Sequence, residues 1–494
     1  MEATVEQITA AVTAFNDKYW YVVMALLFVA GVWFTIRTVG VQVRMLPEML
    51  RSVTAKSQTG FENDGVSPFR AFTISAASRV GTGNVAGVAI AIVIGGPGAV
   101  FWMWLLAIIG GATAFVESTL AQLYKQKGAD GYFGGPAYYI RDGLGAKWLA
   151  AVFAVAITVT YGFVFNAVQS NSISESVQAN WGASSTTAWI VGLGLAALTG
   201  LVIFGGVRRL SAVTNVLVPV MATFYIFLAL IVMVVNITEV PGMIALIVGH
   251  AFGLREFAGA AVGMTMVMQG VRRGMFSNES GMGSAPNAAA TAAVSHPAKQ
   301  GFVQSLGVFF DTMLVCSITA FIVLLSNPTF GDERQGASLT QSALGMQLGD
   351  WAVHFLTVAI FLFAWSSVIG NYYYGESNIR FMTKSRAAMN IYRFAVLVCV
   401  FLGAMLALDL VWSLADLFMA FMATLNLIAL CMLAGVAAKV LANYMEQRKA
   451  GVEPVFKAGD VPGITGLSAW DGTDTVTLPV FWEQRANQKN GARR

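Results

Sequence analysis

Apolar stretches as long as a membrane-spanning helix recur along nearly the whole chain, and they constrain the fold more than any other feature. The hydrocarbon core of a bilayer is roughly 30 Å thick, so a helix needs about 20 mainly apolar residues to cross it. The composition agrees, because 56% of the residues are hydrophobic and only 11% are charged, whereas about a quarter of a soluble protein is charged. The sequence therefore predicts an all-α polytopic membrane protein.

The apolar windows between charged or Gly- and Pro-rich interruptions predict eleven transmembrane helices. A single N-terminal helix at 20–37 precedes two series of five helices. The first series is predicted at 68–96, 98–124, 148–177, 186–206 and 211–236, and the second at 254–290, 301–325, 351–379, 387–408 and 410–438. The chain thus divides into an extra N-terminal helix, a first five-helix repeat at 68–236 and a second at 254–438.

Basic residues collect on alternate loops of this arrangement, as the positive-inside rule expects of cytoplasmic loops. One side holds Arg37, Arg44, Arg51, Lys56, Lys125, Lys127, Arg141, Lys147, Arg208, Arg209, Lys299, Arg380, Lys384 and Arg386. The other side holds Lys18, Arg255 and Arg334. We therefore expect segment 1–19 outside the cell and the tail 443–494 in the cytoplasm. The mixed charge and the Gly, Asn and Gln content of the tail predict that it is largely disordered.

Two predicted spans contain segments too rich in glycine and polar residues for a lipid-facing helix, SRVGTGNVAG at 78–87 and RRGMFSNESGMGSAPN at 272–287. Each segment places an Arg, a Gly and then an Asn in the middle of its span. A further polar cluster follows two spans after each, NAVQSNSI at 166–173 and NYYYGESNI at 371–379. Glycine in a single span would more often be a helix-packing contact. The matching order and spacing in both series favour paired breaks instead.

An odd number of spans separates the starts of the two series, so the two halves have opposite orientations in the membrane. We predict two inverted five-helix repeats, each with a discontinuous first helix. Non-helical backbone at membrane depth is tolerated only where it is buried or lines a cavity. Paired breaks in corresponding spans therefore indicate a central binding site of the kind that secondary transporters use.

The first break offers backbone N–H groups at the start of a half-helix, and such groups attract anions. We predict that the N–H groups of Thr82, Gly83 and Asn84 bind a substrate carboxylate, because glycine lets a ligand approach the backbone closely. Gln169, in the third span of the same repeat, is predicted to hydrogen-bond the substrate from the opposite side. An interhelical polar contact is an equally good interpretation of Gln169.

The second break offers carbonyl groups at the end of a half-helix, and such groups attract cations. The residues predicted to bind substrate there are Gly274, Met275, Phe276, Ser277 and Asn278. We expect their freed carbonyl groups to take a substrate ammonium, while the ring of Phe276 walls the pocket.

A sodium site is predicted beside the first break, because sodium is a hard cation that prefers oxygen ligands. The carbonyl groups of Ala77 and Val80 end the preceding half-helix and are expected to face the ion. Ser366 and Ser367, with the carbonyl group of Phe363 one turn earlier, add oxygen atoms on one face of a span of the second repeat. Serine in a membrane helix more often bonds its own preceding turn, so this interpretation stays open as well.

Charged residues inside membrane spans are costly and are therefore candidates for function. They are Arg79, Glu117, Glu175, Arg272, Arg273, Glu279, Asp311 and Glu376. We expect Arg79 and Glu117 to form a buried ion pair or a gate rather than to contact substrate.

At these residues the chain resembles the alanine or glycine:cation symporter family. The motifs are RVGTGN at 79–84, GGPGAVFWMW at 95–104, GATAFVES at 111–118 and RGMFSNESGMGSAPNAAATA at 273–292. The match covers roughly residues 20–440. The VGTGN core is also similar to the unwound segment of neurotransmitter:sodium symporters, which have the leucine-transporter-like fold of two inverted five-helix repeats.

The resemblance implies sodium-coupled import of alanine or glycine by alternating access across a prokaryotic inner membrane. It implies the substrate, the sodium ion and membrane lipid as partners, with neither nucleic acid nor a resident cofactor. Asn371 departs from the family pattern, which has tryptophan two residues before the YYGE stretch. This residue is therefore added to the predicted substrate wall, and serine or glutamine stays open as a substrate.

Three other functions compete with a sodium symporter. An ion channel also uses intramembrane carbonyl groups, but it needs a continuous pore, usually with subunit symmetry. A proton-coupled amino-acid transporter would have the same architecture. A membrane enzyme is disfavoured because the three histidines, His250, His296 and His354, show neither metal-ligand spacing nor a carboxylate partner motif. The sequence leaves the oligomeric state open.

Overall fold

The computed structural model describes residues 2–54, 66–128, 131–256, 259–331 and 336–482. In the first part of the chain the helices are α1 (Glu2–Arg37), α2 (Val41–Arg44), α3 (Leu46–Thr54), α4 (Pro68–Arg79), α5 (Val88–Gly95), α6 (Ala99–Leu123), α7 (Pro136–Gly143), α8 (Lys147–Val159), α9 (Asn166–Trp181), α10 (Ser185–Ile203) and α11 (Gly206–Val235). A two-stranded antiparallel sheet, β1 (Gln126–Gly128) and β2 (Gly131–Phe133), follows α6.

The second part continues with α12 (Val240–Ala251), α13 (Met264–Asn278), α14 (Ala285–Ala289), α15 (Ala298–Phe309), α16 (Ser317–Leu325), α17 (Ala337–Leu348), α18 (Asp350–Met382), α19 (Arg386–Gly403) and α20 (Leu408–Lys449). Three π-helical segments, Gly83–Gly87, Thr160–Phe165 and Phe310–Cys316, lead into α5, α9 and α16. A short 3₁₀ helix, Thr475–Thr477, lies near the end.

Nine helices of the described chain are long and apolar enough to cross a membrane, and the count reaches ten when one bent pair is taken as a single span. That pair is α4 with the segment Gly83–Gly95, and the two halves are bent by 51°. A discontinuous first helix of the first repeat is therefore confirmed. The remaining predicted span, 254–290, corresponds to α13 and α14, whose lengths are 15 and 5 residues. The count of eleven stays a prediction.

Several predicted boundaries differ from the structure. The first helix begins at Glu2 rather than at residue 20. The helix predicted from residue 254 begins at Met264, because Gly253, Gly259 and Gly263 have positive φ and interrupt the helix before it. The sequence analysis did not predict α12 and α17, which lie in stretches between predicted spans.

The two repeats pack around the interrupted helices. In the second repeat α13 lies against α5 and α6 of the first, while α18 lies against α4 and α9. Glycine allows this approach, since a Cβ atom at Gly270 of α13 would overlap the carbonyl oxygen of Ala99 in α6. The N-terminal helix α1 packs on α20 and α6 at the edge of this core.

The tail is packed through residue 482 rather than disordered, which corrects the prediction from composition. Trp470 is buried, and its indole N–H lies 3.1 Å from the carbonyl oxygens of Gln122 and Leu123 at the end of α6. The ammonium group of Lys125 lies 3.8 Å from the ring centre of Tyr132 and 4.5 Å from that of Trp470. Burial in this stack lowers the pKa of Lys125 to about 7. A few aromatic contacts thus outweigh the polar average of the tail.

Candidate functional site

The first break separates α4 from the π-helical segment that starts at Gly83. α4 ends at Arg79, and the Val80 N–H group still donates to the carbonyl oxygen of Ala76 at 2.8 Å. Side chains then bond the N–H groups of the break. The Gly81 N–H group donates to Asn84 Oδ1 at 2.9 Å, and the Thr82 N–H group donates to Gln169 Oε1 at 3.2 Å. The Thr82 N–H group that was predicted to bind a substrate carboxylate therefore bonds Gln169 in this structure.

Glycine at this break allows helices of the second repeat to approach it. A Cβ atom at Gly81 would overlap the hydroxyl oxygen of Ser367. A Cβ atom at Gly83 would lie 2.9 Å from Phe276 Cδ1 and 3.1 Å from the Cα atom of Ser277, closer than van der Waals contact allows. The structure therefore adds Gly81, which the sequence analysis did not assign to the site, although it lies in the same motif.

Four of the five residues predicted to bind sodium come together between α4 and α18. Ser367 Oγ lies 3.0 Å from the carbonyl oxygens of both Ala77 and Phe363. Ser366 Oγ lies 2.8 Å from the Phe363 oxygen and 3.4 Å from the Ala77 oxygen. Val80 is one residue beyond the end of α4, and the contacts that define this cluster involve the Ala77 carbonyl instead.

The chemistry of this oxygen cluster fits a cation. Each hydroxyl group has one hydrogen, and both carbonyl oxygens near Ser367 can only accept. Four buried oxygen atoms at these separations, with no carboxylate among them, suit a hard monovalent ion. The cluster joins α4 to α18, so an ion bound there would hold the two repeats together.

The second break follows Asn278 and lies within the predicted segment 272–287. Gly274, Met275, Phe276, Ser277 and Asn278 form the last turns of α13. Met275 accepts from the Glu279 N–H group at 2.9 Å, and a regular α-helix also uses the Gly274 carbonyl. The prediction that all five carbonyl groups are freed is therefore wrong for these two. The carbonyl groups of the final three residues lie in the last turn, where α-helices leave such groups without intrahelical partners.

Phe276 packs against two other aromatic rings. Its ring centre lies 4.7 Å from that of Phe165 in the π-helical segment before α9. The Trp412 ring centre of α20 lies 4.8 Å from it. The role of Phe276 as a pocket wall stays a prediction.

Asp311 is a functional candidate that the sequence analysis noted but did not place in the site. Its side chain is buried, and it joins both breaks. Asn84 Nδ2 donates to one carboxylate oxygen at 2.6 Å, and the hydroxyl group of Ser277 donates to the other at 2.6 Å. The neighbouring Thr312 hydroxyl adds a third bond at 3.1 Å. An Asp inside an apolar span was the available signal.

The predicted pair of Arg79 and Glu117 does not form, because each has other partners. Arg79 donates to the carbonyl oxygen of Gln304 at 3.2 Å. Glu117 accepts from the N–H group of Gly281 at 3.3 Å and from Asn426 Nδ2 at 3.1 Å. Glu117 therefore holds the backbone of the second break.

Three of the remaining charged residues form ion pairs with residues outside the two breaks, whereas Glu175 accepts hydrogen bonds from Ser338 near the start of α17. Arg273 of α13 bonds the carboxylate of Asp416 in α20, and both are buried. Arg272 bonds Asp17 of α1 at 3.1 Å. Glu376 bonds Arg380 at 2.8 Å.

Asn371 lies one turn beyond Ser367 on α18 and faces α4. Its Oδ1 atom accepts from the hydroxyl group of Ser78 at 2.7 Å. The same hydroxyl oxygen lies 2.6 Å from Glu279 Oε1, and its single hydrogen serves one of these two acceptors at a time. The structure thus places Asn371 beside the end of α4 and the start of the second break.

Comparison with known proteins agrees with this architecture. The model of the sodium:alanine symporter family matches residues 5–458. The chain belongs to this family. It is 52% identical over 456 residues to the amino-acid carrier protein AlsT of Bacillus subtilis, covering 92% of this chain and 96% of that protein. It is 48% identical over 463 residues to the probable sodium/glutamine symporter GlnT of the same organism, covering 94% of this chain and 96% of that protein.

A solved transporter shares the fold. The crystal structure of MhsT in complex with L-phenylalanine superposes with a TM-score of 0.52 at 13% identity, covering 78% of this chain and 99% of that one. The leucine-transporter-like fold is thereby confirmed. The chain is a multi-pass membrane transporter of the amino-acid symporter type, and it is not an enzyme.

Proposed function

We propose that this protein imports a small neutral amino acid together with sodium by alternating access. The observation that carries the proposal is the oxygen cluster of Ala77, Phe363, Ser366 and Ser367 beside the first break. This cluster suits sodium, and it is built from both repeats. The family description names sodium and alanine, which supports the same ion and substrate class.

Coupling between ion and substrate follows from their positions in the proposal. The oxygen cluster includes Ser367, whose hydroxyl group lies against Gly81. The next residue, Thr82, presents its N–H group to Gln169 Oε1, the proposed carboxylate position. Sodium between α4 and α18 would fix the end of α4, so the N–H groups that bind the carboxylate would be ordered only when the ion is bound.

The proposed pocket recognises the two charged ends of an amino acid separately. The N–H groups of Thr82 and Gly83 take the carboxylate, together with that of Asn84, which donates to the Gly81 carbonyl oxygen at 3.2 Å and exchanges this bond for one to the substrate. The carbonyl groups at the end of α13, including those of Phe276 and Ser277, take the ammonium. The family description, which names alanine, favours a small substrate, while GlnT as a relative keeps glutamine in the test panel.

Uptake by purified protein in proteoliposomes tests the proposal. Labelled alanine should accumulate and saturate when sodium is higher outside, and unlabelled glycine, serine and glutamine should be compared as competitors. Alaninamide should compete at least tenfold less well than alanine, since it lacks the charge-assisted bonds that are worth about 1.5–3 kcal/mol. Uptake driven by a proton gradient without sodium would favour a proton-coupled transporter, and linear, non-saturating flux would favour a channel.

We further infer that the chain starts outside the cell and ends in the cytoplasm of a prokaryote. The distribution of Lys and Arg over alternate loops supports this orientation. A reporter that is active only in the cytoplasm should be active when fused after Arg494. Activity of a periplasmic reporter at the same position would reverse the orientation.

A further inference from the structure

Glu279 adopts a backbone conformation that is unusual for a residue with a side chain. It follows α13 directly, with φ 58° and ψ 10°, in the left-handed region. This conformation is strained for a residue other than glycine, because it brings Cβ too close to the following carbonyl oxygen. Gly281 and Gly283 in the same break also have positive φ, but glycine adopts it without that strain. Such a conformation persists only when surrounding contacts hold it.

The carboxylate of Glu279 joins both interrupted helices. One oxygen accepts from the hydroxyl group of Ser78 in the last turn of α4 at 2.6 Å. The other oxygen accepts from the hydroxyl group of Ser284, the residue before α14, at 2.8 Å. Ser78 Oγ also lies 2.7 Å from Asn371 Oδ1, so α18 packs beside the same group. One side chain thus connects α4 and α14 and lies next to α18.

A second link joins α4 and α14 at their other ends. The Val66 N–H group, two residues before α4, donates to the carbonyl oxygen of Thr291 at 3.1 Å. The Val66 carbonyl oxygen accepts from the Ala293 N–H group at 2.9 Å. The two half-helices on this side of the breaks are therefore held together by Glu279 at the core end and by a β-bridge at the opposite end.

Stability alone does not explain an acid at this position. Glu279 is 2% exposed, and the ion pairs among the described residues do not include it. Arg79 is the positive charge that acts on it, and this arginine also acts on Glu117 and Asp311. A buried carboxylate bonded only by hydroxyl groups is a costly way to join helices. The cost is understandable if the bonds have to form and break.

We propose that Glu279 is a positioning residue that closes the transport path on the side of α4 and α14, and that its bonds to Ser78 and Ser284 break when substrate leaves on that side. The inference rests on the proposed function, because release of substrate presupposes transport. The contact that closes the path lies between the helices themselves. It can be measured without transport, because Ser75 of α4 is buried against Gln304 of α15 in the closed arrangement.

The test uses the full-length protein with Cys399 and Cys431 replaced by Ala and Ser75→Cys as the reporter. Cys316 is kept, since it is buried, and the parent without Ser75→Cys gives its background labelling. A membrane-impermeant methanethiosulfonate reagent is applied to vesicles that expose the side on which α20 ends. Glu279→Gln keeps the shape but loses one acceptor and the charge, so labelling of the introduced thiol should accelerate about tenfold, the equivalent of losing one charge-assisted bond.

Glu376→Gln is the matched control, because Glu376 is also a buried glutamate but bonds Arg380 rather than the interrupted helices. Its labelling rate should equal that of the reporter protein that carries Ser75→Cys without a substitution at a glutamate. Ser284→Ala removes a single bond and keeps the fold testable if Glu279→Gln does not reach the membrane, and it should accelerate labelling less than Glu279→Gln does. Unchanged labelling in both variants would overturn the inference. If the unsubstituted protein shows no sodium-dependent uptake, the proposed function is overturned, but the labelling result is unaffected.

Discussion

The two breaks occupy corresponding places in the two repeats, yet they are built differently. The first is short, covers Val80 to Thr82, and is bordered by the neutral oxygens of the Ser366 and Ser367 cluster and by Gln169. The second runs from Glu279 to Ser284 and is held by the carboxylates of Glu117 and Glu279. Inverted repeats thus give the same place in the fold without giving the same chemistry.

The difference indicates a division of tasks. The first break offers N–H groups and neutral oxygens, which suit a carboxylate and a sodium ion. The second break has its backbone and hydroxyl groups bonded by acids, which suits an element whose bonds change during transport. Asp311 connects the two, because it accepts from Asn84 at one break and Ser277 at the other. The predictions below test whether the breaks differ in this way and whether they act together.

The largest effect is expected from closing the space at the first break. Gly83→Val should abolish uptake, because even a Cβ atom there lies 2.9 Å from Phe276 and 3.1 Å from the Ser277 backbone. Gly194→Val is the matched control on α10, where a Cβ atom has nothing within 4 Å, and it should transport normally. Both variants are measured for membrane abundance and for initial uptake rate. Normal uptake by Gly83→Val would show that the close approach of the two breaks is not needed.

The connection between the breaks gives the next effect. Asp311→Asn should lower uptake about 10- to 100-fold, because bonds to a buried charged group are worth about 1.5–3 kcal/mol and one acceptor becomes a donor. Asp350→Asn, at the exposed start of α18, serves as a control and should be nearly silent. The readout is the initial rate at saturating sodium. Full activity of Asp311→Asn would mean that the breaks work without this link.

Substitutions in the sodium cluster should change the sodium dependence of uptake rather than the amount of folded protein. Ser366→Ala with Ser367→Ala removes two of the four oxygens, so the sodium concentration for half-maximal uptake should rise about tenfold or more. Thr158→Ala removes a buried hydroxyl group that bonds its own preceding turn, through Ala154, and should leave sodium dependence unchanged. An unchanged value in the serine double variant would favour the interpretation that both hydroxyl groups only bond their own helix.

The sequence predicted the parts of the fold that depend on hydrophobic length and repetition. Local patterns predict the apolar spans, the discontinuous helix at Val80 to Thr82 and the serine pair on α18. The partners of the acids did not follow, because Glu117 bonds Asn426 and Glu279 bonds Ser78 across long sequence distances. Local pattern says that a buried charge needs a partner, but only packing decides which one.

In the tail, composition predicted less order than the structure has. Its average composition indicates disorder, but stability depends on single contacts such as Trp470 at the end of α6. The second break lies inside the segment predicted for it, 272–287, but the pattern did not show where in that segment the helix ends. The chain leaves the helix after Asn278, where Glu279 takes positive φ.

The smallest effect, and the most informative about the first break, is expected at Gln169. Its Oε1 atom accepts from the Thr82 N–H group at 3.2 Å, the position proposed for a carboxylate oxygen. If the Gln169 amide turns to bond the substrate, Gln169→Ala removes a bond worth about 0.5–1.5 kcal/mol and should raise KM for alanine roughly 2- to 13-fold with little change in kcat. Gln178→Ala, on the same helix and bonded to Ser174, should leave KM unchanged. A lower KM in Gln169→Ala would mean that Gln169 competes with the substrate for Thr82, in which case the first break binds the carboxylate with backbone groups alone.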